Sequence, residues 1–315
     1  MMFDLRVFSL TAQTMGSFLL FLSLGYFLRR KQILPKEAAT TLSVLVAHLF
    51  GAAYSVESLS RSFTVAELKS NLSVIAFSVF VFVLLLLLSH VFARLWGRGE
   101  WEKRSLIYVF LYSNYGYLGY PLIQDVFGDE VLGKFVVFAL VFNLTATAYG
   151  YALLSSGTEK IRWKKMFLST PFLALALGCF LGLTGLPLPD FLSRTVSAAA
   201  ACMSPASMIL AGLVLGGFSL KELVCRIRPY LFSLFRLMGE TLVVGIPLYL
   251  LGLRGLYLFL VLAYLSFPVG LNTVVYPESA GQDASENARL CFLSLILSLF
   301  TLPIVFALLP RITGL

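Results

Sequence analysis

Charge is scarce in this chain. Asp, Glu, Lys and Arg make up 13% of its 315 residues, roughly half the ~25% usual in soluble domains. It has two histidines, His48 and His90, and four cysteines, Cys179, Cys202, Cys225 and Cys291, with no CxxC spacing. That leaves no zinc-site or disulfide pattern. The cysteines read as small buried apolar residues, and the lone histidines as satisfied structural ones. HExxH, GxSxG, Walker and dinucleotide fingerprints are all missing, so no catalytic role, ATP site, cofactor or resident metal is expected.

In place of charge there is apolar bulk. Hydrophobic residues make up 59% of the chain and mean hydropathy is +0.89. The Phe and Leu fall in blocks long enough to cross a bilayer, which needs about 20 apolar residues per helix. Continuous blocks point to helices, whereas a membrane barrel alternates apolar and polar residues. The fold class expected is therefore an all-α membrane protein. Ten spans are read, at 7–28, 38–59, 71–96, 105–127, 131–155, 166–185, 191–218, 229–252, 255–276 and 288–309. The first run ends in "LRRKQ" with its positive charge behind it, the reverse of a signal peptide, so it reads as the first transmembrane helix.

The formal charge of +8 comes from short basic clusters between apolar blocks. This pattern is that of membrane loops, and nucleic acid is not expected as a partner. Fifteen Lys and Arg lie after spans one, three, five and seven (Arg29 to Lys36, Arg94 to Arg104, Lys160 to Lys165, Lys221 to Arg228) and eight on the other side. The positive-inside rule puts the richer side in the cytoplasm and both termini outside. The length suits a bacterial or archaeal inner membrane.

The chain also repeats itself faintly. "LGYFL" at 24–28 recurs as "LGCFL" at 177–181, and the Leu-Pro at 34–35 recurs at 188–189. At nearly the same offset Gly51 meets Pro205, Asn114 meets Pro268 and Gly116 meets Gly270. Each half, 1–156 and 157–315, holds five spans. An odd number inverts the second copy, so two inverted five-helix repeats are expected.

The second and fourth spans of each half are thus disturbed at matching places. The fourth reads "SNYGYLGYPLIQDVFG" and the ninth "LSFPVGLNTVVYPESAG". Pro costs roughly 3 kcal/mol inside a helix and Gly about 1. The polar groups such breaks release survive in a membrane only against protein or a water-filled cavity. Paired breaks at matching points of inverted repeats point to a transport site, where half-helix N-termini favour an anion. The candidate binding residues are Asn114, Tyr115, Gly116, Pro121, Pro268, Gly270 and Asn272. Glycines and prolines shape the breaks, and the asparagines donate to the solute.

"NYGYLGYPLIQDVFG" at 114–128 and "FPVGLNTVVYPESAG" at 267–281 resemble the fourth- and ninth-helix motifs of the auxin efflux carrier family. "GYFLRRKQILPKEAATTLS" and the Pro205 region fit as well, so the resemblance covers most of the chain. The sequence departs from the common pattern at Gly51, where many members have Pro, and in the added Tyr115, Tyr117 and Tyr120. It lacks the long loop of many plant members and is similar to the compact prokaryotic ones. The resemblance implies crossed broken helices, as in sodium/proton antiporters and bile-acid carriers. It also implies carriage of a small organic anion (a carboxylate or an auxin-like acid) by alternating, elevator-like access. Spans 1, 2, 6 and 7 would form a scaffold, spans 3–5 and 8–10 a moving unit, and a homodimer is common.

Arg236 and Glu240, four apart in span eight, share a helix face. Buried charges of this kind are paired or functional. They read as a self-neutralising pair or, alternatively, as a proton-coupling site centred on Glu240. Asn143 is expected to bond an adjacent helix or else to line the cavity. Asp125 and Asp129 read as solvated at the end of span four, with Asp125 near enough to neighbour the site. Rival readings are a sodium-coupled bile-acid-like carrier, a membrane-embedded enzyme and a non-transporting sensor. The lack of acidic clusters at the breaks, of a nucleophile–base pair and of a signalling domain counts against each in turn.

Overall fold

The structure, a computed structural model, describes residues 4–155 and 167–314. The basic cluster Lys160 to Lys165 lies outside the described residues. In chain order the helices are α1 (Leu5–Arg30), α2 (Glu37–Ser62), α3 (Leu68–Trp96), α4 (Glu100–Leu111), α5 (Tyr115–Leu154), α6 (Thr170–Thr184), α7 (Asp190–Leu215), α8 (Leu220–Val224), α9 (Ile227–Leu250), α10 (Gly255–Ser266), α11 (Asn272–Ser279) and α12 (Ser285–Thr313). Among the described residues seven of these (α1, α2, α3, α5, α7, α9 and α12) are long and apolar enough to cross a membrane; α6 and α10 are shorter apolar helices. The expectation of an all-helical membrane protein stands at this level.

Local chemistry sets the ends. Asp4 caps α1 by accepting from the amides of Arg6 (3.0 Å) and Val7 (3.1 Å), and Arg29 and Arg30 occupy its last turn. Both features complement the helix dipole. Small residues then let helices touch. A Cβ on Gly25 of α1 would lie 2.2 Å from the Ile209 carbonyl oxygen, and one on Gly212 of α7 2.0 Å from that of Leu22. These two helices therefore meet backbone to backbone, a common device where hydrophobic burial gives little drive between helices. Gly178 and Gly182 of α6 approach α2 in the same way.

The region read as spans four and five divides elsewhere than expected. Residues 105–127 are cut at 112–114 into α4 and the start of α5. α5 then runs on past Gly128, whose φ of 84° and ψ of 178° kink it before residues 129–154. The break thus precedes the Gly-Pro cluster, and Pro121 lies just inside the following helix rather than at the gap. The ninth span is cut at 267–271, between α10 and α11. At the other disturbed pair, α2 widens into a π turn at Val46–Phe50 just before Gly51, and α7 jogs at Cys202 before Pro205.

Two smaller expectations change. Cys291 is buried and Cys179 half-buried, but Cys202 and Cys225 are exposed, since they sit at the α7 jog and at the end of α8. His90 is satisfied, with Nδ1 2.8 Å from the Leu86 carbonyl oxygen and Nε2 3.4 Å from the Tyr149 hydroxyl. His48 is exposed on α2.

Candidate functional site

The two breaks meet. The Asn114 amide donates to the Pro268 carbonyl at 2.8 Å, and Ser113 pairs with Val269 in an isolated antiparallel bridge. Tyr264, at the end of α10, serves the opposite break. Its hydroxyl donates to the Leu111 carbonyl at 2.8 Å and accepts from the Ser113 amide at 3.4 Å. The Val269 amide donates to Ser294 Oγ on α12 at 3.0 Å. Backbone groups freed by the gaps are thereby satisfied inside the protein, as a membrane interior requires.

Glycine makes the crossing close enough. A Cβ on Gly270 would stand 3.3 Å from the Ser113 carbonyl oxygen, and one on Gly119 2.8 Å from the Phe267 ring. Each break therefore has a glycine where the other presses against it.

Beside the crossing lies a cavity of about 150 Å³. The structure brings five of the seven candidate residues to its wall: Asn114, Tyr115, Gly116, Gly270 and Asn272. Pro121 and Pro268 do not line it. Pro121 belongs to the helix body after the gap, and Pro268 acts through the carbonyl that holds Asn114. Asn143 also lines the cavity and, among the described residues, forms no side-chain hydrogen bond to an adjacent helix, so of its two expected places it takes the second. Asp125 accepts from Thr14 Oγ1 at 3.2 Å and Asp129 from Gln124 at 2.9 Å, both away from this wall.

The asparagines differ in how free they are. Asn114 is buried, and its side chain makes no capping bond and no other hydrogen bond among the described residues, although it heads the helix. Asn272 donates Nδ2 to the Tyr276 hydroxyl at 3.2 Å, so part of its donor capacity is already used within the protein.

Three π turns reach the cavity: Val46–Phe50 of α2, and Tyr115–Gly119 and Ala146–Gly150 of α5. A π turn inserts a residue and widens the helix, which is why such turns collect at functional sites. Tyrosine is the commonest residue in the remaining wall, supplied by Tyr54, Tyr108, Tyr112, Tyr117, Tyr120 and Tyr276. Of these the sequence marked only Tyr117 and Tyr120; Tyr112 stands in the break itself, and Tyr54, Tyr108 and Tyr276 come from α2, α4 and α11, brought in by tertiary packing. Tyr54 stacks on Tyr120 with ring centroids 5.6 Å apart. It also borders a polar recess of about 30 Å³ that includes Glu57, Arg61, Gln124 and Asp129. No charged side chain lines the main cavity among the described residues. The starts of α5 and α11 both reach this wall; at α11 the Thr273 and Val274 amides already donate to the Gly270 and Leu271 carbonyls, at 3.0 and 2.9 Å.

A family model described as membrane transport protein matches residues 13–306. The chain belongs to that family. This is the auxin efflux carrier family that the two broken-helix motifs resemble. Among its relatives, an uncharacterized transporter of Methanothermobacter thermautotrophicus is 28% identical over 309 residues, covering 95% of this chain and 98% of the relative. An uncharacterized transporter of Methanocaldococcus jannaschii is 25% identical over 296 residues, covering 90% and 94%. The auxin efflux carrier family member described here is a multi-pass membrane protein of a transporter family.

Arg236 and Glu240 of this family member stand apart from the cavity wall. They occupy and follow the π turn Phe235–Gly239 in α9, fully buried, with Arg236 Nη1 2.5 Å from Glu240 Oε2. Arg236 Nε and Nη2 and Glu240 Oε1 have no hydrogen-bond partner.

Proposed function

We propose that this protein is a secondary transporter of a small organic anion, such as a carboxylate or an auxin-like acid, bound where the breaks at 112–114 and 267–271 cross. The observation that carries the reading is the meeting of two interrupted helices beside one cavity. The N-terminal ends of α5 and α11 and the side chains of Asn114, Asn143 and Asn272 gather there. Helix N-termini offer unpaired N–H groups and a partial positive charge, which suit a carboxylate without a formal cation. The tyrosines suit a flat or aliphatic remainder. The cavity, about 150 Å³, is below the ~300–1,000 Å³ usual for larger ligands. It favours a small solute over a bile acid, and no acidic side chain on its described wall offers a sodium ligand.

In this reading the chain forms ten spans as two inverted repeats, 1–156 and 157–315. It sits in an inner membrane with both termini outside, as a homodimer. The scaffold comprises spans 1, 2, 6 and 7. The close approaches of α1 to α7 and of α2 to α6 through glycines support that grouping, and the remaining spans would carry the site between the two sides. Uptake of labelled malate, malonate, lactate or indole-3-acetate into proteoliposomes tests it. Saturable flux of one of these in potassium buffer is expected. Flux of taurocholate alone, dependent on sodium, would replace it with the bile-acid-like reading, and no flux of any solute would favour a sensor.

A coupling role for Glu240 is favoured by its unpartnered Oε1, buried beside Arg236. Glu240→Gln is expected to remove the pH dependence of transport while leaving solute binding intact. An unchanged pH profile leaves the pair a purely structural one.

A further inference from the structure

A larger cavity, about 510 Å³, lies away from the crossing, where the ends of α3, α4, α9 and α12 come together. Its inner wall is apolar, with Leu106, Phe232 and Leu290, and its rim carries Arg98, Arg226 and Arg228. Two carboxylates also face it, but both are already neutralised. Glu102 pairs with Arg228 at 2.9 Å, and Glu286 pairs with Arg226 and, at 2.8 Å, with Arg289. Arg98 is exposed and makes no ion pair among the described residues. Its backbone amide is held by Glu102 at 2.7 Å, so its position at the rim is fixed while its guanidinium is uncommitted.

The decisive group is Ser105. The residue lies on the wall of this cavity and is 3% exposed, and its Oγ, buried just behind the surface, has no hydrogen-bond partner. A helical serine commonly donates back to the carbonyl four residues earlier, and this one does not. A buried hydroxyl without a partner is destabilising; a ligand oxygen would remove that cost. Ser105 lies in the second turn of α4.

We propose that this cavity binds a phosphate-bearing amphiphile, its anionic group held between Arg98 and the Ser105 hydroxyl and its apolar part against Leu106, Phe232 and Leu290. A guanidinium fork matches phosphate oxygens, and the cavity is far larger than a lone anion needs. The clusters around Arg94 to Arg104 and Lys221 to Arg228 meet here, and basic segments beside a membrane attract anionic headgroups. Asn287 on the same wall donates to the Thr273 carbonyl of α11 at 2.9 Å. A ligand in this cavity is therefore one hydrogen bond from the helix that carries Asn272.

The test is thermal unfolding of the full-length protein in detergent, titrated with short-chain phosphatidic acid, phosphatidylcholine of the same chains and glycerol 3-phosphate. Phosphatidic acid should raise Tm saturably and phosphatidylcholine should not. Arg98→Gln should weaken the apparent affinity about tenfold, the scale of one charge-assisted hydrogen bond. Ser105→Leu, which fills the cavity, should abolish the shift; should it fail to fold, Arg98→Gln decides alone. A response to phosphatidic acid without one to glycerol 3-phosphate assigns the site to lipid. Equal responses would mean that the apolar wall contributes nothing and would overturn the amphiphile. Equal shifts with phosphatidylcholine, no saturable shift at all, or an Arg98→Gln variant with unchanged affinity would overturn the site.

Discussion

The two breaks solve one problem with different emphasis. At 112–114 the chain leaves α4 and re-enters a helix through a π turn, and Gly116 there faces open space, with nothing within 4 Å of where a Cβ would stand. At 267–271 the chain re-enters through an ordinary helix, and Gly270 is pressed against the Ser113 backbone. Asn114 keeps its side chain free, whereas Asn272 is tied to Tyr276. The first break is thus shaped toward the cavity and the second toward holding the crossing together. Sequence symmetry between Gly116 and Gly270 does not carry over into equal duties.

Substitutions can break this contrast. The largest effect is expected at Gly270. Gly270→Val must displace the Ser113 carbonyl and with it the bridge, at a cost of about 1–3 kcal/mol for overpacking, read as a fall in Tm. Gly116→Ala in the same assay should leave Tm unchanged while altering solute affinity; an equal fall in both variants would erase the distinction. Next comes Tyr264→Phe. It strips a partner from both the Leu111 carbonyl and the Ser113 amide and is expected to cost about 1–3 kcal/mol, seen in denaturant or thermal unfolding. Smallest in stability are the asparagines. Asn272→Ala should lose about 1 kcal/mol with its bond to Tyr276, and Asn114→Ala close to none, while both weaken solute binding.

The fact of the breaks was legible in the sequence because Gly and Pro are costly in helices wherever they occur. The second falls at Pro268 and Gly270 as read, but the position of the first was not legible. The gap at 112–114 falls ahead of Gly116 and Pro121 because Tyr264 caps Leu111 and Pro268 takes the Asn114 amide. Both partners lie more than 150 residues away in the chain, where no local pattern reaches. The tyrosines Tyr54, Tyr108 and Tyr276 were hidden for a similar reason. They reach the cavity through helix packing and through π turns such as "VAHLF" and "ATAYG", whose residues do not announce an added backbone position. The Arg236–Glu240 pair was legible from its spacing of four alone, since helix geometry forces such residues together.

The asymmetry of the breaks also bears on the substrate. If the anion is held mainly by the start of α5 and by Asn114, then α11 contributes shape more than donors, and solutes with one compact anionic end should bind better than those with two distant ones. Lactate and indole-3-acetate against malate is the relevant contrast within the flux assay.

The account rests on solute binding at the crossing. The most direct measurement is the thermal stability of the purified protein against malate, malonate, lactate, indole-3-acetate and taurocholate, in sodium and in potassium, for the wild type and Asn114→Ala. A ligand at about 100 times its dissociation constant stabilises by about 2.7 kcal/mol, well within reach of such an assay. The account predicts stabilisation by a small carboxylate in either salt and its loss in Asn114→Ala. Stabilisation that survives unchanged in Asn114→Ala would place the solute elsewhere and contradict it.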